Sequence, residues 1–546
     1  MAAPFDTHEV LNQSPPFEDL DLFALDRPLQ DALTANGAAG AAAALTEFGR
    51  RLGSAEMLEQ ARLANENVPK LKSYDVKGFR RDVVEFHPAY HRFMGESIAA
   101  GVHAMTWRPS GHRAQPPAEV ARAARFYMAS QVEAGHCCPI TMTRASVAAL
   151  AAEPELRERV MPKILSRTYD PTFRPASDKA GITLGMGMTE KQGGTDVRAN
   201  TTRAEPAGED YLITGHKWFL SAPMGDAFLV LAQAPGGLTC FLMPRFRPDG
   251  AVNALRLQRL KDKLGNRSNA SAEVEFARAF AWRVGEEGRG VRTIIEMVQL
   301  TRLDCALGSA ALMRMALAQA VHHARHRTVF QRRLADQPMM RSVLADLALD
   351  MEGAVALVMR LCRAFDNEGD PADAARARLL TPAVKYWVCK SAPAFIYEAM
   401  ECLGGNGYVE EAPLARLYRE APVNAIWEGS GNVMGLDVLR ALGREGEAGR
   451  ALIAELAREA AHLPGAAEAA ALVTRALAAR DAEAAARAAV ERLALLAAAA
   501  ALAQSVPAVA EIFARARLSE PRGATYGTAG LEAGEVAALL ERALPS

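Results

Sequence analysis

Cysteine, charge of one sign and long apolar runs are what this chain has little of. Its seven cysteines (Cys137, Cys138, Cys240, Cys305, Cys362, Cys389 and Cys402) are an odd, scattered set in 546 residues. That is not the dense framework of a small secreted domain, so they read as reduced thiols. Lysine and arginine total 63 against 64 acidic residues, which removes any global bias toward nucleic acid or anionic membrane. The start, MAAPFDTHEV, lacks the basic region and apolar core of a signal peptide, and the longest apolar run is LALLAAAAALA at 493–503. That run is far short of the roughly 20 residues a spanning helix needs. A soluble, cytoplasmic protein with no membrane partner is expected. Several catalytic strings are also missing: there is no P-loop, no HExxH and no G-x-S-x-G. His322 and His326 are four apart, but no carboxylate or cysteine stands at zinc-site spacing beside them, and His136-Cys137-Cys138 has no second cysteine pair. No metal is expected.

What is present is enough apolar residue, 50% of the chain, to bury a large core in several domains. Up to residue 181, Ala, Leu, Arg and Glu recur at helical spacing, as in AEVARAARFYMASQVEAG. From 182 to 290 the texture becomes short, β-branched or aromatic runs bounded by Gly, Pro, Asp and Asn, which read as an antiparallel sheet or barrel. Helical periodicity returns over 291–443. The segment 444–546 is crowded with alanine, lacks lysine and is expected to form a fourth, helical domain. The fold class is therefore α+β, mainly α.

Four segments can carry chemistry. GITLGMGMTEKQGGTDV (181–197) sets closely spaced glycines beside Thr189 and Thr195, where backbone can approach a phosphate or a flat ring. It is not the dinucleotide fingerprint, because Glu190 stands where the third glycine belongs. In GHKWFLSA (215–222), strand alternation aims Phe219 and Ser221 to one side, a ring to pack and a hydroxyl to hydrogen-bond a ring edge, as a flavin requires. ECLGGNGYVEE (401–411) reads equally as a glycine helix end. APVNAIWEGSGNVMGL (421–436) places one carboxylate, Glu428, between Trp427 and Gly429-Ser430-Gly431. By local rules Glu428 is either a turn residue or a base.

In order and spacing, MTEKQGGTDV, GHKWFLSA, GEEGRG, Arg302, Arg327 with Phe330, LGGNGY and WEGSGN resemble the acyl-CoA dehydrogenase superfamily. LNQSPPFEDLDLFALD, RLKDKLGNRSNASAEVEF, TRLDCALGS and YREAPVNAIWEGSGNVMGLDVLR are similar to its AidB-like branch, the alkylation-protection flavoproteins. The likeness spans about residues 8 to 445 and fades beyond. It implies an N-terminal helical domain, a middle β-barrel, a second helical bundle, and FAD held non-covalently in a homotetramer.

Residue by residue, the resemblance implies that Met186, Gly187, Met188 and Thr189 line the flavin's pyrimidine side and that Thr195 bonds toward the pyrophosphate. Phe219 takes the place of a tryptophan against the ring, followed by Leu220 and by Ser221 near N5. Arg327, Phe330, Gly404 and Gly405 hold FAD across a subunit interface, although Gln331 stands where a glycine usually follows the phenylalanine. Trp427, Gly429, Ser430, Gly431 and Asn432 close over the cofactor. Glu428 becomes the base that takes the α-proton of an acyl thioester, with Thr301 at the position of the alternative base. Arg440, twelve residues on, is expected to reach back, pair with Glu428 and lower its proton affinity. The same branch implies double-stranded DNA binding through a basic C-terminal region. Here, however, residues 444 to the end hold 11 arginines against 13 acidic residues, too few cations to carry that role on charge.

Overall fold

The structure is a computed structural model, and it describes residues 7–444, 446–520 and 523–545. Helices Arg27–Ala35, Ala42–Leu52 and Ala55–Glu66 open the chain. Asp26 and Ser54 start the first and third of them by accepting the N–H groups of Leu29 and Met57 at 3.0 and 3.3 Å, which satisfies donors the helix itself cannot. Helices Pro88–Ala99, Ala118–Val132, Cys137–Leu150 and Pro154–Ile164 complete this part. It is not wholly helical, as the sequence suggested. Lys70–Tyr74 and Arg80–Glu85 form an antiparallel hairpin, because residues 70–85 alternate in burial and Asp75 accepts the N–H groups of Lys77 and Phe79 around the turn at Gly78.

The middle of the chain is a closed barrel. Ala227–Ala234 pairs with Gly237–Pro244, then Ser271–Val284, Asp210–Ser221 and Arg203–Ala207 follow in turn, and Arg203 returns to Gln233. Leu255–Leu260 pairs with the first half of Ser271–Val284 and sends Leu255 and Leu257 into the same core. Leu184–Gly187 adds in parallel to Ala227–Val230, so the sheet is not purely antiparallel. Two strands, Arg203–Ala207 and Asp210–Ser221, lie between it and its partner in the chain, and only a tight hairpin would force opposite directions. Ile213, Leu220, Phe228, Val230, Phe241, Met243 and Val274 fill the interior.

Three long helices, Gly290–His326, Pro338–Asp366 and Pro371–Glu401, build the bundle, with Pro413–Asn424 and Gly431–Arg444 laid against it. A buried ionic network bolts the N-terminal helices to it: Arg122 and Arg144 both engage Asp304, and Arg144 also holds Glu119. Removing one member of such a set strands buried charge, at a cost of about 3–5 kcal/mol. The C-terminal helices Gly446–Glu459, Ala466–Ala478, Ala482–Ser505, Pro507–Ala514 and Ala533–Ala543 share one continuous apolar core with the bundle. The apolar run near 493–503 is the buried middle of Ala482–Ser505, and among the described residues no helix is long and apolar enough to cross a membrane.

After Arg327 the chain makes a miniature hairpin, Thr328–Val329 against Arg332–Arg333. Its two turn residues, Phe330 and Gln331, have φ of 51° and 64°, the left-handed pair that a two-residue hairpin loop demands. Gln331 thus takes up the glycine geometry without being glycine, at a cost of about 1–2 kcal/mol for the left-handed backbone. Gln331→Gly should raise stability by about 0.5–1 kcal/mol after the entropy of glycine is subtracted. The urea midpoint of the two proteins checks this, and an unchanged or lower midpoint for the variant contradicts it.

Candidate functional site

Glu428 sits on the short link between helices Pro413–Asn424 and Gly431–Arg444, with φ of 58°. A non-glycine residue in the left-handed region persists only when its surroundings hold it there. Three side chains do so here. Arg302 Nε donates to the Glu428 carbonyl at 2.9 Å, Lys385 Nζ donates to the Gly429 carbonyl at 2.7 Å, and Thr301 Oγ1 donates to Glu428 Oε2 at 2.6 Å. Arg302 is braced in turn by Asp437 at 2.6 Å, which Arg378 also holds at 3.0 and 3.2 Å. Burial pushes the Glu428 carboxyl above the usual carboxylate range, against the opposing pull of the Thr301 hydroxyl, Arg302 and Lys385.

The barrel supplies the other wall. Strand Leu184–Gly187 turns Gly185 and Gly187 inward, where an added Cβ would meet Phe228 Cδ1 at 2.7 Å and Leu220 Cδ1 at 2.8 Å. Met186, on the alternate face, points away from the barrel core. With Trp427 it packs on Cys138, Met142 and Ala222, so the residue before Glu428 and the end of the strand that carries Ser221 meet in one apolar patch. Strand Asp210–Ser221 slips register between Lys217 and Leu220. This bulge leaves Lys217 and Leu220 buried and puts Trp218 and Phe219 both outside. Phe219 is 48% exposed. Ser221 Oγ meets Ser271 Oγ at 3.2 Å across the ladder.

Several expected residues stand elsewhere. Arg440 is exposed, and among the described residues no ion pair joins it to Glu428. The helical rise of about 1.5 Å per residue carries it about 14 Å along from Gly431, and the cations that reach the glutamate are Arg302 and Lys385. Leu220 turns its side chain into the barrel core, so only its backbone remains available to a ligand. Gly187 serves strand packing rather than ligand approach. Met188 and Thr189 carry the turn: the Met188 carbonyl accepts from Asn200 at 3.0 Å, the Thr189 carbonyl accepts from Trp218 N–H at 2.8 Å, and Gly194 lies so close that a Cβ would meet Thr189 Oγ1 at 2.3 Å. Thr195 is exposed at its rim. Arg327 donates to the Asn12 carbonyl at 2.6 Å, Phe330 is 91% exposed, and among the described residues a Cβ on Gly404 or Gly405 would meet only open space.

Residues that motif reading missed hold the site together. Glu190, the would-be third glycine, is a buried anion bonded by Lys217 at 2.8 Å and by the Thr201 N–H at 2.7 Å. Lys385 is a buried lysine and Lys263 a half-buried one, with no motif around them that says so. A flat, phosphate-bearing cofactor fits what is present. The exposed ring of Phe219 stands beside the Ser221 hydroxyl, Asn200 Oδ1 is buried beside Met188 with no protein partner, and Ser430 and Asn432 are exposed at the start of Gly431–Arg444. A helix start of this kind offers free N–H groups and a favourable dipole to phosphate. In the tail, Arg487, Arg492, Arg515, Arg517 and Arg542 are engaged inside the molecule. Glu445 and Arg522, which also enter the tail's charge, lie outside the described residues.

Three family profiles match the chain: the N-terminal domain of adaptive response protein AidB over residues 12–171, the acyl-CoA dehydrogenase middle domain over 185–279, and the acyl-CoA dehydrogenase C-terminal domain over 288–443. The chain is 52% identical over 441 residues to the AidB protein of Escherichia coli (strain K12), covering 80% of this chain and 81% of that one. It is 31% identical over 433 residues to acyl-CoA dehydrogenase family member 11 of Caenorhabditis elegans, covering 76% and 69%. Its fold is similar to that of Caenorhabditis elegans ACDH-11 in complex with C11-CoA, with a TM-score of 0.83, 26% identity and 95% of each chain covered. That coverage takes in the alanine-rich tail, where sequence likeness had faded. With its AidB-type N-terminal domain followed by both acyl-CoA dehydrogenase domains, the chain belongs to the acyl-CoA dehydrogenase family.

Proposed function

We propose that this protein is an FAD-dependent oxidoreductase that acts on an acyl-CoA thioester with Glu428 as its base. The observation that carries the reading is the pinned turn: a single carboxylate, raised in proton affinity, is held in a strained conformation facing the barrel wall that bears Phe219 and Ser221. The likeness to a structure that holds C11-CoA supports an acyl-CoA as the substrate class.

Bound FAD supplies the hydride acceptor for the substrate's β-carbon. The chain's part is to orient the thioester and move the proton. Thr301 occupies Oε2 of Glu428, which leaves Oε1 to take the α-proton. Strain and the two carbonyl anchors keep the carboxylate from swinging away, and burial makes it basic enough to hold the proton it removes. Phe219 and Met186 offer apolar surface to the ring, Ser221 a hydroxyl to its edge, and Thr195, Ser430 and Asn432 polar groups to the phosphates. Arg327, Phe330, Gly404 and Gly405 fit this reading only toward a second copy of the chain, so a homotetramer belongs to the proposal. The nearly complete exposure of Phe330 supports it.

The duplex-DNA reading is the weaker one. Net charge from 444 onward is negative, and five of its arginines are spent on partners inside the fold. Binding to phosphates needs clustered, available cations.

Anaerobic addition of short, branched and medium-chain acyl-CoAs to the FAD-loaded protein should bleach the flavin's visible absorbance. Glu428→Gln should slow that bleaching by about 10²–10⁴-fold, the usual worth of a positioned general base. Bleaching at wild-type rate in the variant removes Glu428 from the mechanism. Thr301→Val deletes a hydrogen bond that favours the carboxylate, so the carboxyl's pKa should rise. Because the base works ionised, the rising limb of rate against pH should then move to higher pH; a limb that stays in place or moves down contradicts the role given to Thr301. In a filter assay at low ionic strength, duplex DNA should not be retained. Retention that falls steeply with added salt would reinstate the DNA reading.

A further inference from the structure

Lys263 is a half-buried lysine at the seam between barrel and bundle, and neither the base chemistry nor the cofactor contacts account for it. It lies on the loop that enters strand Ser271–Val284. Gly265, two residues on, is pressed so close to helix Pro413–Asn424 that a Cβ would meet the Arg419 carbonyl at 2.3 Å. The loop is fixed rather than free. Asn266 bonds Glu420 through both its backbone N–H and its side chain, Asn269 Nδ2 donates to Asn266 Oδ1 at 2.9 Å, and Ser268 Oγ donates to Glu133 Oε1 at 2.7 Å.

An ammonium group has donors and no acceptor. Lys263 Nζ spends one donor on the Asn269 carbonyl at 2.7 Å and another on Ser271 Oγ at 3.1 Å. Ser271 Oγ is in turn 3.2 Å from Ser221 Oγ, its direct partner in the strand ladder. A hydroxyl that accepts from a cation has its own proton left to give, so direction propagates from Lys263 to Ser271 to Ser221. Ser221, accepting from Ser271, keeps its own O–H to give. The competing neighbour is Cys138, whose thiol burial pushes up to about 12. It stays protonated and is a poor acceptor.

We infer that Lys263 and Ser271 are positioning residues that polarise Ser221 into a hydrogen-bond donor toward an acceptor atom on the edge of the flavin ring. This rests on the FAD reading above. The titratable groups around Lys263 come from three elements: the protonated thiol of Cys138 on helix Cys137–Leu150, Glu133 just before that helix, and Glu420 on helix Pro413–Asn424. Desolvation outweighs their attraction and brings the lysine down to about 8. The chain is therefore polarised below that pH and loses its direction above it, as the ammonium becomes an amine.

The test follows the visible absorption of the FAD-loaded protein without substrate between about pH 6.5 and 9, where an ordinary lysine stays charged. The wild-type protein should show a one-proton change in the flavin bands near pH 8. Ser271→Ala and Lys263→Met should keep a full complement of FAD and lose the change, and Ser271→Thr should restore it. A wild-type spectrum flat with pH, or a change that survives in Ser271→Ala, overturns the polarised chain while FAD binding stands. A wild-type protein that takes up no FAD overturns the cofactor reading itself, and the chain with it. Ser271→Ala changes one hydroxyl and decides the matter even where Lys263→Met fails to fold.

Discussion

Everything at this site depends on two cations holding two consecutive carbonyl oxygens. Arg302 on one long helix and Lys385 on another donate to the carbonyls of Glu428 and Gly429, and so clamp a left-handed glutamate that its own backbone disfavours by about 1–2 kcal/mol. Charge-assisted hydrogen bonds to buried carbonyls are worth about 1.5–3 kcal/mol each, so two of them exceed the strain. The same cations also set the chemistry. They stand close enough to lower the carboxyl's proton affinity, yet burial still wins and holds it above the usual carboxylate range, as the proposed base requires. Asp437 keeps Arg302 from pairing with the glutamate outright by offering it a better carboxylate at 2.6 Å.

The clamp works only because the barrel is brought to it in fixed register. The buried Arg122–Asp304–Arg144–Glu119 network ties the N-terminal helices to the helix that carries Thr301 and Arg302. Cys138, on one of those N-terminal helices, touches the patch that joins Met186, Ala222 and Trp427. The Glu133, Asn266 and Glu420 bonds lock the barrel loop 262–271 between both helical parts. Three separately folded textures in the sequence thus converge through polar contacts that are almost wholly out of water. Such networks specify one arrangement strongly, because any slip leaves charge unpaired in a low-dielectric interior.

The order helices, barrel, helices was legible because hydrophobic period changes where the architecture changes. The hairpin at 70–85 was not, since it is a short alternating stretch inside a long helical texture. Glu428 was legible only through the order of several motifs; its neighbours alone allowed a turn. Arg440 was misplaced because spacing along a chain says nothing of helix direction, and twelve residues that cross a helix start end far from where they began. Lys385, Lys263 and Lys217 were invisible for a related reason. A buried lysine looks like a surface lysine until the carbonyls and carboxylates that receive it are known, and those come from 14 to 44 residues away in the cases of Lys217 and Lys385.

That reversal of the usual place of lysine also bears on the tail. A chain with balanced charge can still bind polyanions if its cations gather on a surface. In this fold three arginines at the edge of the tail are drawn inward instead. Arg517 lies between Asp346 and Asp350, Arg376 between Glu455 and Glu459, and Arg542 between Asp31 and Glu352. Each pair spans the seam between the C-terminal helices and the rest of the molecule. Arg517 and Arg542 of the alanine-rich segment, with Arg376 reaching to it from the bundle, therefore act as its attachment. Alanine supplies close helix packing but little buried area per residue, and the ion pairs at the seam fix the orientation that so smooth a surface cannot fix alone.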